Sequence, residues 1–174
     1  MSSMNIRQAT PEDASVLAEL GALTFTHTFG HLYTSKDLQD YIATHYTAEQ
    51  HLIPLADSRE SFWLLEDDNG QALAFGWAGA CELPVDNLES NAGQVKRAYV
   101  HPDHQGKQLG SLLIKRMIAW LGDEGYGPLY IGVWSENYGA QRLYARFGFE
   151  KISEYDFPVG EHVDREFILK QQRQ

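Results

Sequence analysis

The stretch from residue 99 to residue 111 reads Tyr99-Val100-His101-Pro102-Asp103-His104-Gln105-Gly106-Lys107-Gln108-Leu109-Gly110-Ser111. An apolar segment stops at a proline, a short polar turn with two glycines follows, and a long amphipathic segment begins. This order predicts a strand that leads through a turn into the N-terminus of a helix. Unpaired amides at a helix N-terminus attract an anion, and glycines let the backbone approach it closely. The stretch therefore predicts a phosphate-binding loop at a strand-to-helix junction.

This loop matches neither of two common nucleotide-binding motifs. A Walker A loop requires Gly-Lys followed by Ser or Thr, whereas Lys107 is followed by Gln108 and His101 occupies the position of the motif's first glycine. A dinucleotide fingerprint requires G-x-G-x-x-G, a spacing that Gly106 and Gly110 do not fit. A different type of anion-binding loop is expected.

Hydrophobic periodicity on both sides of the loop predicts alternating strands and helices. Helices are expected after the capping residues Thr10 and Ser35, with a short third helix after Thr47 and further helices over 106–121 and 137–147. The predicted strands cover residues 4–9, 61–66, 71–82, 94–101, 129–134, 149–157 and 163–169. Counted without the short third helix, the order is β-α-α-β-β-β-α-β-α-β-β. It predicts a single α/β (α+β) domain over residues 1–174 with a mixed sheet.

Composition narrows the class of protein. The chain has 174 residues, 43% of them hydrophobic, and a formal net charge of −10. No apolar run approaches the roughly 20 residues of a membrane span, and the first residues lack the apolar core of a signal peptide. With Cys81 as the single cysteine, these features predict a cytoplasmic protein with no internal disulfide and no membrane partner. The acidic surface disfavours nucleic-acid binding and attracts cations, polyamines among them.

Two segments together resemble the GNAT family of N-acetyltransferases. The loop Gln105-Gly106-Lys107-Gln108-Leu109-Gly110 is similar to the family's acetyl-CoA loop Gln/Arg-x-x-Gly-x-Gly/Ala, and it departs from that pattern at Gln108, where the family usually has glycine. Downstream, Asn137-x-x-Ala140-x-x-x-Tyr144-x-x-x-Gly148-Phe149 matches a second family signature in full. A helix and a strand separate the two segments, as in the family. The resemblance implies a GNAT-like domain with a mixed, mostly antiparallel sheet of about seven strands flanked by helices.

The resemblance also implies a cosubstrate and site residues. The cosubstrate is acetyl-CoA, without a metal, and its pantetheine arm lies where the strand at 94–101 separates from the strand at 129–134. A backbone N–H near Val100 would face the thioester carbonyl, and Tyr144 would be the general acid that protonates the departing thiolate. Periodicity alone would make Tyr144 a core aromatic. The implied cofactor-binding residues are Tyr99, Val100, Gln105, Gly106, Lys107, Gln108, Leu109, Gly110, Ser111 and Asn137.

The general base is not identified by the sequence. Many relatives place a carboxylate on the strand that leads into the loop, but residues 94–98 read Gln-Val-Lys-Arg-Ala. Glu82, His27 and a water held by backbone groups are the candidates. His27 and His31 lie four residues apart but lack a third ligand nearby, so no metal site is predicted.

Shorter motifs suggest the acceptor. The runs Thr24-Phe25-Thr26-His27-Thr28-Phe29, Ser35-Lys36-Asp37-Leu38 and Tyr155-Asp156-Phe157-Pro158-Val159-Gly160 look like those of the bacterial Pai-type polyamine acetyltransferases. This implies direct transfer to the primary amine of a polyamine or similar small molecule in a ternary complex, and a chain able to form a homodimer. Carboxylates that could line the acceptor groove are Glu12, Asp37, Asp40, Glu82 and Asp86.

Three other interpretations stay open at this point. The acceptor could be a protein or peptide amine, which would require an open cleft. The chain could be a non-catalytic acyl-CoA sensor, which would bind the thioester without turning over any amine. It could also be a nucleotide-binding protein that uses the loop at residues 105–111 for another phosphate.

Overall fold

The structure, a computed structural model, describes residues 4–172, so the ends of the predicted 1–174 domain lie outside the described residues. The strands are β1 (Asn5–Gln8), β2 (Ser61–Glu66), β3 (Ala72–Ala80), β4 (Gly93–Val100), β5 (Leu129–Trp134), β6 (Phe149–Val159) and β7 (His162–Gln171). The helices are α1 (Ala14–Phe29), α2 (Ser35–His45), α3 (Ala48–Ala56), α4 (Leu109–Asp123) and α5 (Tyr138–Ala145). Within residues 4–172, no helix is long and apolar enough to cross a bilayer.

The seven strands form one mixed sheet in the order β1-β2-β3-β4-β5-β7-β6. All neighbouring strands are antiparallel except β4 and β5, which are parallel. This confirms the predicted fold class, a mixed and mostly antiparallel sheet flanked by helices. The short third helix is present as α3, because the Thr47 hydroxyl accepts a hydrogen bond from the Gln50 amide (3.2 Å). The order of elements is therefore β-α-α-α-β-β-β-α-β-α-β-β.

Two predicted helix starts are displaced by local backbone chemistry. The second helix is capped by Thr34 rather than Ser35, since the Thr34 hydroxyl accepts from the Asp37 amide (3.1 Å). The long helix α4 begins at Leu109 rather than at residue 106. Gly106 and Gln108 have positive φ angles of 82° and 62°, which a right-handed helix cannot contain. The residues before Leu109 therefore form a loop, not a helical turn.

Helices cover both faces of the sheet. Leu113 and Met117 of α4 are fully buried in the main core on one face. Leu17 of α1 packs with Phe62 and Phe75 on the other face. Burying one such leucine contributes about 1.5–3 kcal/mol relative to leaving it exposed. The packing holds α1 and α4 on opposite sides of the central strands.

The parallel strands β4 and β5 pair only at their N-terminal ends. The paired positions are Gly93 with Leu129 and Gln94 with Tyr130, after which the ladder stops. The two strands therefore separate towards their C-terminal ends, as the resemblance implied. An opening in the middle of a sheet leaves backbone groups unpaired and makes room for a ligand. The candidate site lies in and around this opening.

Candidate active site

Two cavities meet at the opening between β4 and β5. The larger, of about 700 Å³, lies between the N-terminus of α4 and helix α5. The smaller, of about 240 Å³, lies between α1, α2 and the ends of β4 to β7. The residues that line both are Phe29, Ala98, Tyr99, Asn137 and Tyr144. A ligand in each cavity would thus meet the other ligand beside Tyr144.

The N-terminus of α4 presents unpaired backbone donors to the larger cavity. The Leu112 amide is bonded to the Gln108 carbonyl (3.3 Å), so the amides of Leu109, Gly110 and Ser111 precede the first helical bond. The first turn carries no acidic side chain that would neutralise the positive end of the helix dipole. This end of the cavity suits an anion such as a diphosphate.

Gln108 occupies the position at which the loop departs from the GNAT pattern. Its backbone is left-handed, with φ 62° and ψ 23°. A glycine adopts this conformation freely, whereas a residue with a Cβ pays about 1–2 kcal/mol for it. Gln108 therefore adds a backbone strain that glycine would not have, and it lines the larger cavity with Gly106 and Gly110.

Gly106 offers a test of the loop conformation that is free of steric contact. A Cβ at this residue would have no described atom within 4 Å, yet φ is 82°. We expect Gly106→Ala to lower the free energy of unfolding by about 1 kcal/mol through backbone strain and to weaken the binding of coenzyme A roughly fivefold to tenfold. Urea denaturation and titration calorimetry measure the two effects.

The matched control is Gly122→Ala in the last turn of α4, the helix that follows the loop. Gly122 also has open space where a Cβ would lie, but its φ is not positive. Alanine is the better helix former by up to about 1 kcal/mol, so this variant should gain stability and bind coenzyme A unchanged. Equal losses of affinity in both variants would contradict a special role for the loop.

The Val100 amide points into the opening. The neighbouring His101 amide donates to the Leu73 carbonyl of β3 (2.8 Å). Backbone groups alternate between the two edges of a strand, so those of Val100 are directed towards β5, which no longer pairs with β4 at this point. The Gln105 side chain donates to the Val100 carbonyl (3.4 Å), while the Val100 amide faces the cavity. An amide at this place can stabilise a developing oxyanion.

Helix α5 brings Asn137 and Tyr144 to the junction of the two cavities. The Asn137 side-chain oxygen accepts from the Ala140 amide (3.1 Å), which caps the helix. Tyr144 lies two turns further on and is 9% exposed. Burial raises its pKa well above the ordinary value, and the charges of Tyr99 and Glu166 add to this effect. The hydroxyl therefore stays protonated at neutral pH.

The smaller cavity has aromatic walls and an acidic end. Ten aromatic side chains line it: Phe25, Phe29, Tyr33, Tyr41, Tyr46, Tyr99, Trp134, Tyr144, Tyr155 and Phe157. Asp164 and Glu166 of β7 lie at the same cavity. The Tyr33 hydroxyl donates to Asp164 (2.8 Å), and His162 Nε2 lies 2.9 Å from the other oxygen of this carboxylate. Aromatic faces and carboxylates both attract cations.

Two basic residues of β4 also reach this cavity. The Lys96 ammonium is paired with Glu60 (2.6 Å) and Glu82 (3.2 Å). The Arg97 guanidinium lies over the ring of Tyr46, 4.4 Å from its centroid, and donates to His51 Nε2 (3.2 Å). Among residues 4–172, no carboxylate pairs with Arg97. The charge of Lys96 is thus compensated, whereas that of Arg97 is not.

Most residues implied by the resemblance lie together, and a few do not. Those that line the larger cavity are Tyr99, Val100, Gln105, Gly106, Gln108, Leu109, Gly110, Ser111, Asn137 and Tyr144. Lys107 does not line it and places its ammonium 3.2 Å from His104 Nδ1. His27 lines the larger cavity and not the smaller one. Glu82 lines neither, and its side chain is 74% exposed.

The acceptor-side carboxylates are the residues that the sequence interpretation missed. None of the five that it named, Glu12, Asp37, Asp40, Glu82 and Asp86, lines either cavity. Asp164 and Glu166 do, and they stand four and two residues before Ile168, which is fully buried. Residues two apart on a strand share a face. Acidic residues at the same strand spacing as a buried isoleucine are therefore the sequence pattern that could have identified Asp164 and Glu166 as inward-facing.

The described residues contain no group of three or more His, Cys, Asp or Glu side chains that could hold a metal ion. The polar groups at the site are backbone amides, several phenols, the Arg97 guanidinium and carboxylates. The chemistry that this set can perform is anion binding, oxyanion stabilisation and proton transfer.

Comparisons with known proteins agree with this description. Residues 25–149 match the model of the acetyltransferase (GNAT) family. The N-acetyltransferase of the pepI 3′ region of Lactobacillus delbrueckii subsp. lactis is 25% identical over 175 residues, which cover 98% of each chain. Two solved structures share the fold. PaiA N-acetyltransferase from Thermoplasma acidophilum in complex with coenzyme A has a TM-score of 0.77, with 19% identity and coverage of 98% and 99%. YncA from Salmonella typhimurium with its cofactor acetyl-CoA has a TM-score of 0.68, with 22% identity and coverage of 99% and 95%.

Proposed function

The chain belongs to the acetyltransferase (GNAT) family, and we propose that it transfers the acetyl group of acetyl-CoA to the primary amine of a small cationic acceptor such as a polyamine, by direct attack in a ternary complex. The observation that carries the proposal is the meeting of two unlike cavities at Tyr144. One has the donors for a diphosphate, and the other has aromatic walls and two carboxylates.

The larger cavity fits coenzyme A by its chemistry as well as its size. The relatives PaiA and YncA were solved with coenzyme A and acetyl-CoA, respectively. In this chain the amides of Leu109, Gly110 and Ser111 would hold the diphosphate, and Val100 would direct its amide at the thioester carbonyl. Acetyl-CoA supplies the activated acetyl group. Tyr144 would donate its hydroxyl proton to the departing sulfur.

The smaller cavity favours a small molecule over a folded protein. Its volume of about 240 Å³ and its aromatic walls leave little room for a peptide backbone and its flanking side chains. Tyr33 and His162 hold Asp164 in place, which fixes a negative charge at the end of the cavity. A primary ammonium would be attracted by that charge and by the ring faces. A polyamine has both the charge and the narrow shape.

Arg97 favours a second candidate acceptor, an amino acid. The Arg97 guanidinium faces the cavity without a carboxylate partner among the described residues, and it is held by Tyr46 and His51. An acceptor with both an amine and a carboxylate would place opposite charges at Asp164 and Arg97. Guanidinium groups bind carboxylates through paired hydrogen bonds.

A thiol-release assay with purified protein and acetyl-CoA separates the candidates. Acceptors should include spermidine, putrescine, neutral and basic amino acids, and a lysine-containing peptide. We expect kcat/KM for spermidine to exceed that for the peptide by at least about tenfold, equivalent to about 1.4 kcal/mol. A preference for the peptide would contradict the proposal, and release of no thiol with any amine would favour an acyl-CoA sensor.

Two matched variants sharpen the assay. Asp164→Asn should lower kcat/KM for polyamines about tenfold, because it removes the charge that attracts the ammonium. Arg97→Gln should leave polyamines unaffected and lower kcat/KM for amino acids. A lower kcat/KM for polyamines in Arg97→Gln, with none in Asp164→Asn, would contradict the proposal that Asp164 attracts the ammonium and Arg97 the carboxylate. The homodimer and the cytoplasmic location remain predictions from the resemblance and the composition.

A further inference from the structure

Glu166 is the second carboxylate of the acceptor cavity, two residues after Asp164 on β7. In the sheet Glu166 pairs with Trp134 of β5 on one side and with Tyr155 of β6 on the other. Strand β7 thus places it between two strands whose residues also line the cavity. It lines the smaller cavity together with Tyr144, which also lines the cofactor cavity. This placement puts a carboxylate beside the point at which the two cavities join.

The charge of Glu166 affects four tyrosines that line the same cavity. Burial is the main cause of the raised pKa values of Tyr33, Tyr41, Tyr144 and Tyr155, and the charge of Glu166 raises all four further. These tyrosines come from four different segments of the chain. The Glu166 carboxylate is therefore a charge that acts on all four phenols.

Glu166 differs from its neighbour Asp164 in having no partner. Among residues 4–172, none donates a hydrogen bond to Glu166 or forms an ion pair with it, whereas Asp164 is held by Tyr33 and His162. A half-buried carboxylate without a partner is costly to a fold, and such groups cluster at functional sites. Burial, with a contribution from Asp164, raises its pKa to about 7.

We propose that Glu166 is the general base of the acetyl transfer, an inference that rests on the proposed function. The neutral form of the acceptor amine, which has lost its ammonium proton to solvent, attacks the thioester carbonyl carbon, and Glu166 takes a second proton from that nitrogen as the C–N bond forms. The C–S bond then breaks, and Tyr144 gives its proton to the sulfur. Amine and thioester become amide and thiol, and the proton gained by Glu166 replaces the one lost by Tyr144. No further reactant is needed.

The two proton transfers are coupled through charge. While ionised, Glu166 holds the pKa of Tyr144 up, which makes the phenol a weak acid. Once Glu166 has accepted a proton, that negative charge is gone, and Tyr144 becomes a stronger acid as the thiolate departs. The arrangement therefore favours donation after deprotonation of the amine rather than before it.

The groups that face Glu166 must be considered in any pH experiment. They are Asp164 on β7, Tyr155 on β6, Tyr144 on α5, Tyr41 on α2, Tyr33 before α2, and Lys96 and Arg97 on β4. The four phenols have raised pKa values and stay neutral near pH 7. A free aliphatic ammonium loses its proton near pH 10. An ionisation near pH 7 can therefore be distinguished from that of the acceptor.

The test is the pH profile of kcat/KM for Glu166→Gln, measured with whichever acceptor the wild-type enzyme uses best. In the wild type we expect kcat/KM to rise with pH through about 7, because Glu166 must be ionised to accept a proton. The variant should lose this limb and retain about one hundredth of the wild-type rate at about pH 8. The control Asp164→Asn should keep the limb even where its KM rises.

Thermal unfolding of the same variant separates catalysis from folding. The folded-state pKa of Glu166 lies above its unfolded value, so ionising this residue destabilises the wild type as the pH rises through about 7. Glu166→Gln should match the wild-type Tm at about pH 4, where the unfolded chain also holds this proton, and exceed it at about pH 8. A limb retained in Glu166→Gln would overturn this inference alone. A wild type that acetylates no amine would overturn the proposed function, and this inference with it.

Discussion

Replacing Tyr144 by phenylalanine should lower kcat about 100-fold to 1,000-fold while the Kd for acetyl-CoA changes less than about twofold. Two phenols line both cavities, Tyr99 and Tyr144. The Tyr99 hydroxyl lies 3.3 Å from the Tyr46 hydroxyl. The Tyr144 hydroxyl is the one proposed to protonate the departing sulfur. A thiolate that leaves without a proton donor is a poorer leaving group, and the loss falls on the transition state rather than on cofactor binding. Steady-state kinetics and titration calorimetry give the two numbers.

The control for this variant stands on the same helix. Tyr138 is exposed and lines neither cavity, so Tyr138→Phe should keep wild-type kcat. We expect the free energy of unfolding to be similar in the wild type and in Tyr144→Phe. No described residue hydrogen-bonds to the Tyr144 hydroxyl, so its removal leaves no partner unsatisfied. A Tyr144→Phe enzyme with normal kcat, or one that loses acetyl-CoA affinity instead, would contradict the assigned proton transfer.

The sequence predicts the cofactor side of the site because its determinants are local. The unpaired amides follow from a helix that starts within the loop, and the Asn137 cap needs only Ala140, three residues away. Gln108, where the loop departs from the family pattern, has a left-handed backbone, the conformation that the usual glycine adopts freely. Capping and turn chemistry act within a few residues, which is the range that a sequence pattern reports.

The acceptor side was not predicted because it is assembled from distant parts of the chain. Tyr33 and Asp164 are bonded across 131 residues of sequence. Glu166 reaches the cavity because β7 inserts between β5 and β6, a pairing that no local pattern specifies. The five carboxylates named from the sequence line neither cavity. The order of the strands in the sheet therefore determines which carboxylates reach the cavity, and residue spacing along the sequence does not reveal that order.

This division between the two sides has a chemical consequence. The cofactor cavity is held by backbone amides, which tolerate many side chains at the same positions. The acceptor cavity is held by side chains of β4 and β7, among them Arg97, Asp164 and Glu166, each of which a single substitution would change. We infer that cofactor use depends on the path of the chain and acceptor choice on individual residues.

The largest effect on binding is expected at Gly110, in the first turn of α4. A Cβ at this position would lie 3.3 Å from Leu143 Cδ2 and 3.9 Å from Val100 Cγ2, and the residue is buried at the wall of the larger cavity. A leucine would fill the space in front of the α4 amides or push α5 away. We expect Gly110→Leu to weaken coenzyme A binding at least about 100-fold, which corresponds to about 2.7 kcal/mol.

A graded series distinguishes the two causes of that loss. Gly110→Ala requires Leu143 to move by only a few tenths of an ångström, so its effect on Kd should be below about tenfold. Adding Leu143→Ala to Gly110→Leu makes room beside α5. It would restore affinity only if displacement of that helix were the cause. We expect no restoration, because the added side chain would cover the amides that are proposed to bind the diphosphate. Calorimetry with coenzyme A measures each Kd, with circular dichroism to confirm folding. Unchanged affinity in Gly110→Leu would place the cofactor outside this cavity, since a bulky side chain cannot share the space with a diphosphate bound to the first turn of α4.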